Sequence, residues 1–249
     1  MAMDRTITLV TQGVSKRSDY QQVEDDLLRT ARRLIHDGGF HELTMARLAE
    51  ASGYTRKTVY NHFANVEDAV VAVCLQSVTR RADLVSRAAE FRGRPRERIA
   101  AVAAVARAVL PYHMRHEVLL SAIKLDRVSE DRWRRLQAEE SRLLAVNTGV
   151  IRDAVAAGDL ELPPDLTSEQ LGLSLLQMES GPHLLALRRA ELGGYSSERQ
   201  IEVFFHTVTL FLDDLGWRPL SSECDYPRSI RRMYREVFPD LVEKFNIKV

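Results

Sequence analysis

The sequence predicts an all-α fold, with a three-helix domain at the N-terminus followed by a larger helical domain. Apolar residues recur at helical spacing along most of the 249-residue chain, and no useful length of it alternates with the two-residue period of a β-strand. Glycine and proline separate the helical segments, as at Gly38-Gly39, Gly158 and Pro163-Pro164. These two observations define the class.

The first predicted helix carries an apolar stripe, and Phe40 follows the glycine pair that closes it. The stripe consists of Val23, Leu27, Leu28, Ala31, Leu34 and Ile35. The next segment predicts two short helices joined by a turn. Thr44 and Thr55 can each cap one of them, and Gly53 supplies the positive φ of the turn. Ala49 is small enough for a close helix crossing, and Val59 is the apolar contact between the two helices.

The second of these short helices has side chains suited to nucleic acid. Arg56 and Lys57 lie in its first turn, and no acidic residue occurs between Thr55 and Asn65. Such a helix in a helix-turn-helix enters the major groove of DNA, where it meets base edges and phosphates. An ordinary helical hairpin with a basic end is the alternative for the same spacing.

These residues resemble the TetR family of bacterial transcriptional regulators over positions 23–75. The matching text is Ala31-Arg32-Arg33-Leu34-Ile35, Gly38-Gly39-Phe40, Leu43-Thr44-Met45, Leu48-Ala49 and Gly53-Tyr54-Thr55-Arg56-Lys57-Thr58-Val59-Tyr60-Asn61-His62-Phe63. The resemblance implies a DNA-binding head on a larger domain that binds a small effector and forms a homodimer. It also implies that Thr55–His62 is the recognition helix. The residues expected to contact a double-stranded operator are Thr44, Thr55, Arg56, Lys57, Thr58, Tyr60, Asn61 and His62.

Within that set, the resemblance assigns Arg56 and Lys57 to base edges or phosphates and the other side chains to the DNA backbone. Two positions depart from the usual family pattern. Lys57 replaces a glycine or small residue, which predicts that it reads a base that relatives do not. Val66 replaces a lysine, which predicts one phosphate contact fewer unless an N-terminal arm supplies it.

The charge balance requires a local basic face. The chain has 35 basic and 35 acidic residues, and its first 65 residues have nine basic and eight acidic ones. We therefore expect Glu24, Asp25 and Asp26 to face away from DNA. Residues 1–20 lack an apolar stripe but carry Lys16 and Arg17. We interpret them as a flexible segment, either a frayed leader or an arm along the minor groove, preceding a head at 21–65.

No segment has the length or composition of a membrane span or signal peptide, so we expect a cytoplasmic protein with no membrane partner. The two cysteines, Cys74 and Cys224, are interpreted as reduced thiols. Residues 66–218 predict the effector-binding and dimerisation domain. Its first helices are a connector over Val66–Ala89 and a helix that starts at Pro95.

Further helices are predicted near Val118–Val128 and over Arg132–Ala157. Two late helices, Leu166–Ala190 and Ser196–Leu215, are interpreted as the dimer surface that the family uses. The expected interface residues are Leu171, Leu175, Phe204, Phe205, Val208 and Leu212. The alternative is that these apolar faces complete the core of one subunit. Residues 219–249 predict a helical extension that packs on its own body, crosses to a partner subunit or covers a ligand entrance.

The resemblance places an effector, expected to be apolar or aromatic, among the middle helices. The candidate side chains are polar or aromatic residues in apolar surroundings: Tyr112, His113, Met114, His116, Trp133, Asn147, Gln177, Met178, Glu179 and His183. His113 and His116 are also one turn apart, a spacing that could bind a metal in a helical enzyme. No further ligand pair, phosphate loop or nucleophile motif accompanies them, so we expect no cofactor and no enzyme. A regulator controlled by a protein partner instead of an effector is the third alternative.

Overall fold

The computed structural model describes residues 2–105, 120, 123–189 and 197–245, and this part of the chain contains helices and no strand. The helices are α1 (Ala2–Gly38), α2 (Met45–Ser52), α3 (Arg56–His62), α4 (Val66–Ala89), α5 (95–105), α6 (Glu130–Ala156), α7 (Ser168–Arg189), α8 (Ser197–Asp214), α9 (Tyr226–Val237) and α10 (Pro239–Phe245). The sequence predicted α4 with the observed bounds. None of the described helices is both long and apolar enough to cross a membrane.

The chain divides into two compact units. The first comprises residues 1–75 and 119–134, and the second comprises 76–118 and 135–249. The first compact unit thus continues ten residues past the predicted boundary at residue 65. The beginning of α4 belongs to the first unit because its apolar side chains complete that unit's core. The expected separate extension, 219–249, is part of the second unit.

The core of the first unit confirms the predicted apolar stripe of α1. Leu27, Leu28, Ala31 and Ile35 are buried, and they pack with apolar residues of the three following helices. The helix itself begins at Ala2, so the residues that we expected to form a flexible arm are helical in the structure. The side chains of Lys16, Arg17 and Phe40 lie outside the described part.

The turn between α2 and α3 is built as its sequence predicts. The Thr44 hydroxyl accepts a hydrogen bond from the Arg47 amide at 3.1 Å, which caps α2. Gly53 ends α2 with a φ of +76°. The Thr55 hydroxyl accepts from the Thr58 amide at 3.1 Å and caps α3. The two short helices therefore depend on local hydrogen bonds at their ends as well as on packing.

One predicted helix is helical at residue 120 but does not continue over the residues described from 123 onward. The segment around Val118–Val128 is described only at 120 and from 123 onward, where it forms a single 3-10 turn, Leu125–Arg127. Leu125 is exposed, whereas Ile123 packs against the core of the first unit. Polar side chains hold the turn instead, because the Asn65 amide donates to the Arg127 carbonyl at 2.7 Å.

The core of the second unit contains three residues that we had assigned to the dimer surface. Leu171, Leu175 and Leu212 are buried in a cluster formed by residues of α5 to α8 and Trp217. That assignment is corrected, because side chains enclosed within their own unit are not available to a partner subunit. Leu173 of α7 and Val203 and Leu210 of α8 are the large apolar side chains that these two helices expose among their described residues.

The C-terminal extension packs on its own unit, which was the first of the three possibilities left open by the sequence. Phe238 is fully buried, and the Arg87 guanidinium lies 4.5 Å from the centre of its ring. Arg87 also donates to the Val237 carbonyl at 2.8 Å. Arg232 of α9 donates to the Arg92 carbonyl at 2.8 Å. The extension is thus anchored at several points along its length.

The geometry of Gly53 gives a testable prediction. An added Cβ would meet nothing within 4 Å, so the cost of Gly53→Ala comes from the left-handed backbone alone. We expect Gly53→Ala to lower the free energy of unfolding by about 1–2 kcal/mol, measured by urea denaturation. Gly149→Ala is the matched control, since Gly149 lies inside α6 with equal free space. It should raise that free energy by about 0.5–1 kcal/mol. Equal effects at both positions would contradict this explanation.

Candidate nucleic-acid interface

The inner face of α3 packs in the core of the first unit. Val59 and Phe63 are fully buried. Leu48 of α2 is also fully buried, and Ala49 of α2 is only 6% exposed. These side chains fix the crossing of the two helices, as expected from the small residue at position 49. The orientation of α3 about its own axis is therefore set by packing, and the opposite face is directed to solvent.

The outer face of α3 is open. Arg56, Lys57 and Asn61 are exposed, and Tyr60 retains 55% of its accessible surface. Neither Arg56 nor Lys57 forms an ion pair with any residue that the structure describes. Unpaired cations and an exposed phenol on one helix face are chemically suited to phosphates and base edges. Their exposure agrees with the expectation from sequence.

The threonines of the motif combine exposure with a structural role. Thr44 and Thr55 are exposed, and Thr58 is half-buried. The hydroxyls of Thr55 and Thr58 lie 2.9 Å apart. These two hydroxyls form a hydrogen bond in which either can be the donor. The Thr44 hydroxyl accepts from the Arg47 amide through its oxygen, which leaves its own hydrogen free to donate. Val66, in contrast, is half-buried against the core of the first unit, so it is directed inward.

His62 is not on the interface, which corrects the expected phosphate contact. Its side chain is only 7% exposed and stacks on Tyr20, with 3.9 Å between the ring centres. The Tyr20 hydroxyl in turn donates to the Asn61 carbonyl at 3.2 Å. His62 therefore joins the end of α3 to α1. Sequence spacing placed it on the recognition helix but could not show that an aromatic residue of α1 covers it.

A polar cluster that sequence reasoning missed holds the base of α3. Arg132, in the first turn of α6, donates to the His62 carbonyl at 2.9 Å. The same guanidinium pairs with Glu24 of α1 at 3.0 Å and with Asp68 of α4 at 3.3 Å. Asp68 also accepts from the hydroxyl of Ser129 at 2.7 Å. One arginine thus contacts three helices of the head.

Two acidic residues of α1, Glu24 and Asp26, have cationic or donor partners within the first unit. Glu24 pairs with Arg132, and Asp26 pairs with Arg29 at 3.0 Å while accepting from the Tyr54 hydroxyl at 3.0 Å. Because these carboxylates have cationic or donor partners, their repulsion of DNA is reduced. A neutral chain can therefore present a basic surface at α3.

The described effector candidates are divided between the two units. Trp133 is half-buried in the first unit, whereas Asn147 and Glu179 are buried in the second, where Glu179 pairs with Arg81 at 3.0 Å. Met178 is half-buried and Gln177 is exposed. Tyr112, His113, Met114 and His116 lie outside the described residues, as does the side chain of His183.

The described residues include no group of three or more histidines, cysteines or acids that could hold a metal. His113 and His116 lie outside that search. The second unit does contain a cavity of about 570 Å³ between α5, α8 and α9, and its described lining includes none of the effector residues predicted from the sequence. Three residues expected at the dimer surface, Phe205, Val208 and Leu212, line it instead.

The environment of His62 predicts a pH effect on the stability of the head. Burial lowers the pKa of His62 below its usual value; nearby Glu24 raises it and Arg132 lowers it further. The unfolded chain therefore binds a proton more readily than the folded one, so stability is present above the usual histidine pKa and is lost as pH falls below it. We expect the melting temperature to fall more between neutral pH and about pH 5 in the natural chain than in His62→Phe.

A control for this measurement is His36→Gln, which removes an exposed histidine of the same unit. It should retain the pH dependence of the natural chain. If His62→Phe and the natural chain lose stability equally on acidification, protonation of His62 is not responsible.

Comparison with known proteins agrees with the geometry of the head. Residues 27–73 match the family described as bacterial regulatory proteins, tetR family. Over 61 residues the chain is 33% identical to the HTH-type transcriptional repressor AcnR of Corynebacterium glutamicum, an alignment that covers 24% of this chain and 32% of the repressor. The matched part thus spans about a third of that relative's length.

Solved structures share the fold over a greater length. A transcriptional regulator from Pseudomonas aeruginosa PAO1 superposes with a TM-score of 0.61 at 16% identity, covering 80% of this chain and 94% of that one. The regulator FadR of Bacillus subtilis, solved in complex with stearoyl-CoA, gives a TM-score of 0.55 at 14% identity, covering 72% and 96%. At these identities the likeness concerns the fold. Over residues 27–73, the chain is thus similar to the tetR family of bacterial regulatory proteins.

Proposed function

We propose that this protein is a dimeric transcriptional regulator that binds a two-fold symmetric DNA operator through α3. The observation that carries the proposal is the outer face of α3, where Arg56, Lys57, Tyr60 and Asn61 are exposed on a helix whose inner face is locked in the core. A short helix of this kind reads only a few base pairs. Specific binding therefore calls for a second copy.

A homodimer supplies the second recognition helix. Two such helices about 34–36 Å apart reach successive major grooves on one side of the duplex. The exposed apolar side chains of Leu173, Val203 and Leu210 are suited to a contact between copies, with half-buried Phe204 beside Val203 in the chain. Of the interface residues expected from sequence, Phe204 is the one that this proposal retains.

Regulation by a small molecule follows from the connection between the units. Helices α4 and α6 each begin in the first unit and continue in the second. A ligand that binds the second unit better in one arrangement of these helices changes the population that can bind DNA. A coupling of about 1–3 kcal/mol changes operator affinity about 5–150-fold. The ligand-free dimer represses by covering a promoter, and ligand binding releases it.

Two relatives support parts of this proposal. AcnR is a transcriptional repressor and resembles this chain over its head. FadR of Bacillus subtilis has the same fold and was solved with stearoyl-CoA, so the fold accommodates a small organic ligand. We propose a repressor instead of an activator, and an apolar effector, because of these relatives and the resemblance found in the sequence.

The proposal is tested by selecting bound sequences from random duplex DNA. The natural chain should select a two-fold symmetric site. Lys57→Ala should change the preferred base at one position in each half-site, at a cost of about 1–3 kcal/mol in binding. The matched control is Arg231→Ala, which removes one exposed cation from α9 in the other unit.

Arg231→Ala should select the same site as the natural chain with similar affinity. If the natural chain selects no sequence, the proposed function is wrong. If Lys57→Ala and Arg231→Ala select the natural site equally well, Lys57 does not read a base.

A further inference from the structure

The cavity of the second unit has three walls of different origin. Ile99 and Ala103 contribute from α5, Phe205 and Leu212 from α8, and Ile230 from α9. Its volume of about 570 Å³ lies within the usual range for small-molecule sites. The described lining is mostly aliphatic and aromatic, so the cavity favours an occupant that buries apolar surface.

The wall formed by α9 is fixed in place. Met233 and Phe238 are buried, and Ser229 is nearly so. The Ser229 hydroxyl donates to the carboxylate of Glu97 in α5. The neighbouring Arg96 donates through its Nε to the Tyr226 hydroxyl at 2.9 Å. Since α9 belongs to the C-terminal extension, the cavity exists only where that extension packs on α5 and α8.

The charge in the cavity is already compensated. Arg96 is the only cation among the described lining residues and is 1% exposed. Besides Tyr226, its guanidinium donates to the Asp213 carboxylate at 2.7 Å and to the carbonyls of Thr209 and Trp217 at 3.3 Å. Among the described lining residues, an anionic ligand would therefore find no unpaired positive charge.

We propose that this cavity binds an uncharged, mainly apolar small molecule and that the C-terminal extension supplies one wall of the site. Ligand binding is inferred from the cavity alone, whereas an effect of the ligand on DNA binding rests on the proposed function. The extension thus has a role beyond covering the core, because Ile230 and Tyr234 contact the ligand directly.

The binding step is tested on the full chain without DNA. The neutral fluorophore N-phenyl-naphthylamine is titrated against the protein, and decanol and decanoate are then compared as competitors near neutral pH. These competitors share a chain length and differ in charge. We expect the fluorophore to bind and decanol to displace it about tenfold more effectively than decanoate. No binding of the fluorophore, or equal displacement by both competitors, would overturn the proposal.

Two variants locate the site. Ile230→Trp fills the cavity from α9 and Ala103→Leu fills it from α5, and each should weaken fluorophore binding about tenfold or more. Arg231→Trp is the control, since it places the same side chain on the exposed neighbour of Ile230. Melting curves identify any variant that fails to fold. Unchanged binding in a folded Ile230→Trp or Ala103→Leu protein would place the fluorophore elsewhere and overturn the proposal.

The outcomes separate this inference from the proposed function. If the fluorophore binds as described but the chain selects no DNA sequence, the cavity remains a ligand site and the regulator proposal falls. If the chain selects an operator but no cavity variant changes fluorophore binding, the regulator proposal stands and this site is wrong.

Discussion

The ion pair between Asp68 and Arg132 is the interaction on which the head depends. Both side chains are largely withdrawn from water, and an unpaired charge in such a place costs about 3–5 kcal/mol. The carboxylate is satisfied by the Ser129 hydroxyl and by the Ala64 amide as well as by the guanidinium. Through Arg132 it reaches Glu24 of α1 and the last carbonyl of α3. The start of α6 is therefore joined directly to the base of α3.

This arrangement divides the side chains of α3 into two groups. Val59 and His62 face inward, where burial and stacking hold the helix. The side chains of Arg56, Lys57 and Tyr60 are exposed to solvent, so they do not pack in the core and can contact DNA. An outward cation with no ion pair in the described structure adds little to stability. Its chemistry is available for DNA, and the rigid inner face fixes where it points.

Local features of this fold were predictable, and long-range ones were not. Threonine caps, the glycine turn and the bounds of α4 follow from neighbouring residues, and the structure confirms them. Arg132 joins residues that lie far apart in sequence, so no spacing rule could find it. The same limit explains His62, whose burial depends on Tyr20, and Leu171, whose apolar face fits a core as well as an interface. The cavity was missed because its third wall comes from α9.

The central claim is that α3 meets DNA with the face that the core leaves open. Hydrogen–deuterium exchange of the full chain, with and without its selected duplex, tests this directly. The account predicts slower exchange on DNA binding in peptides that cover Thr44 and Thr55–Asn61, where backbone amides become shielded. Unchanged exchange across α2 and α3, with protection confined to another part of the chain, would contradict it.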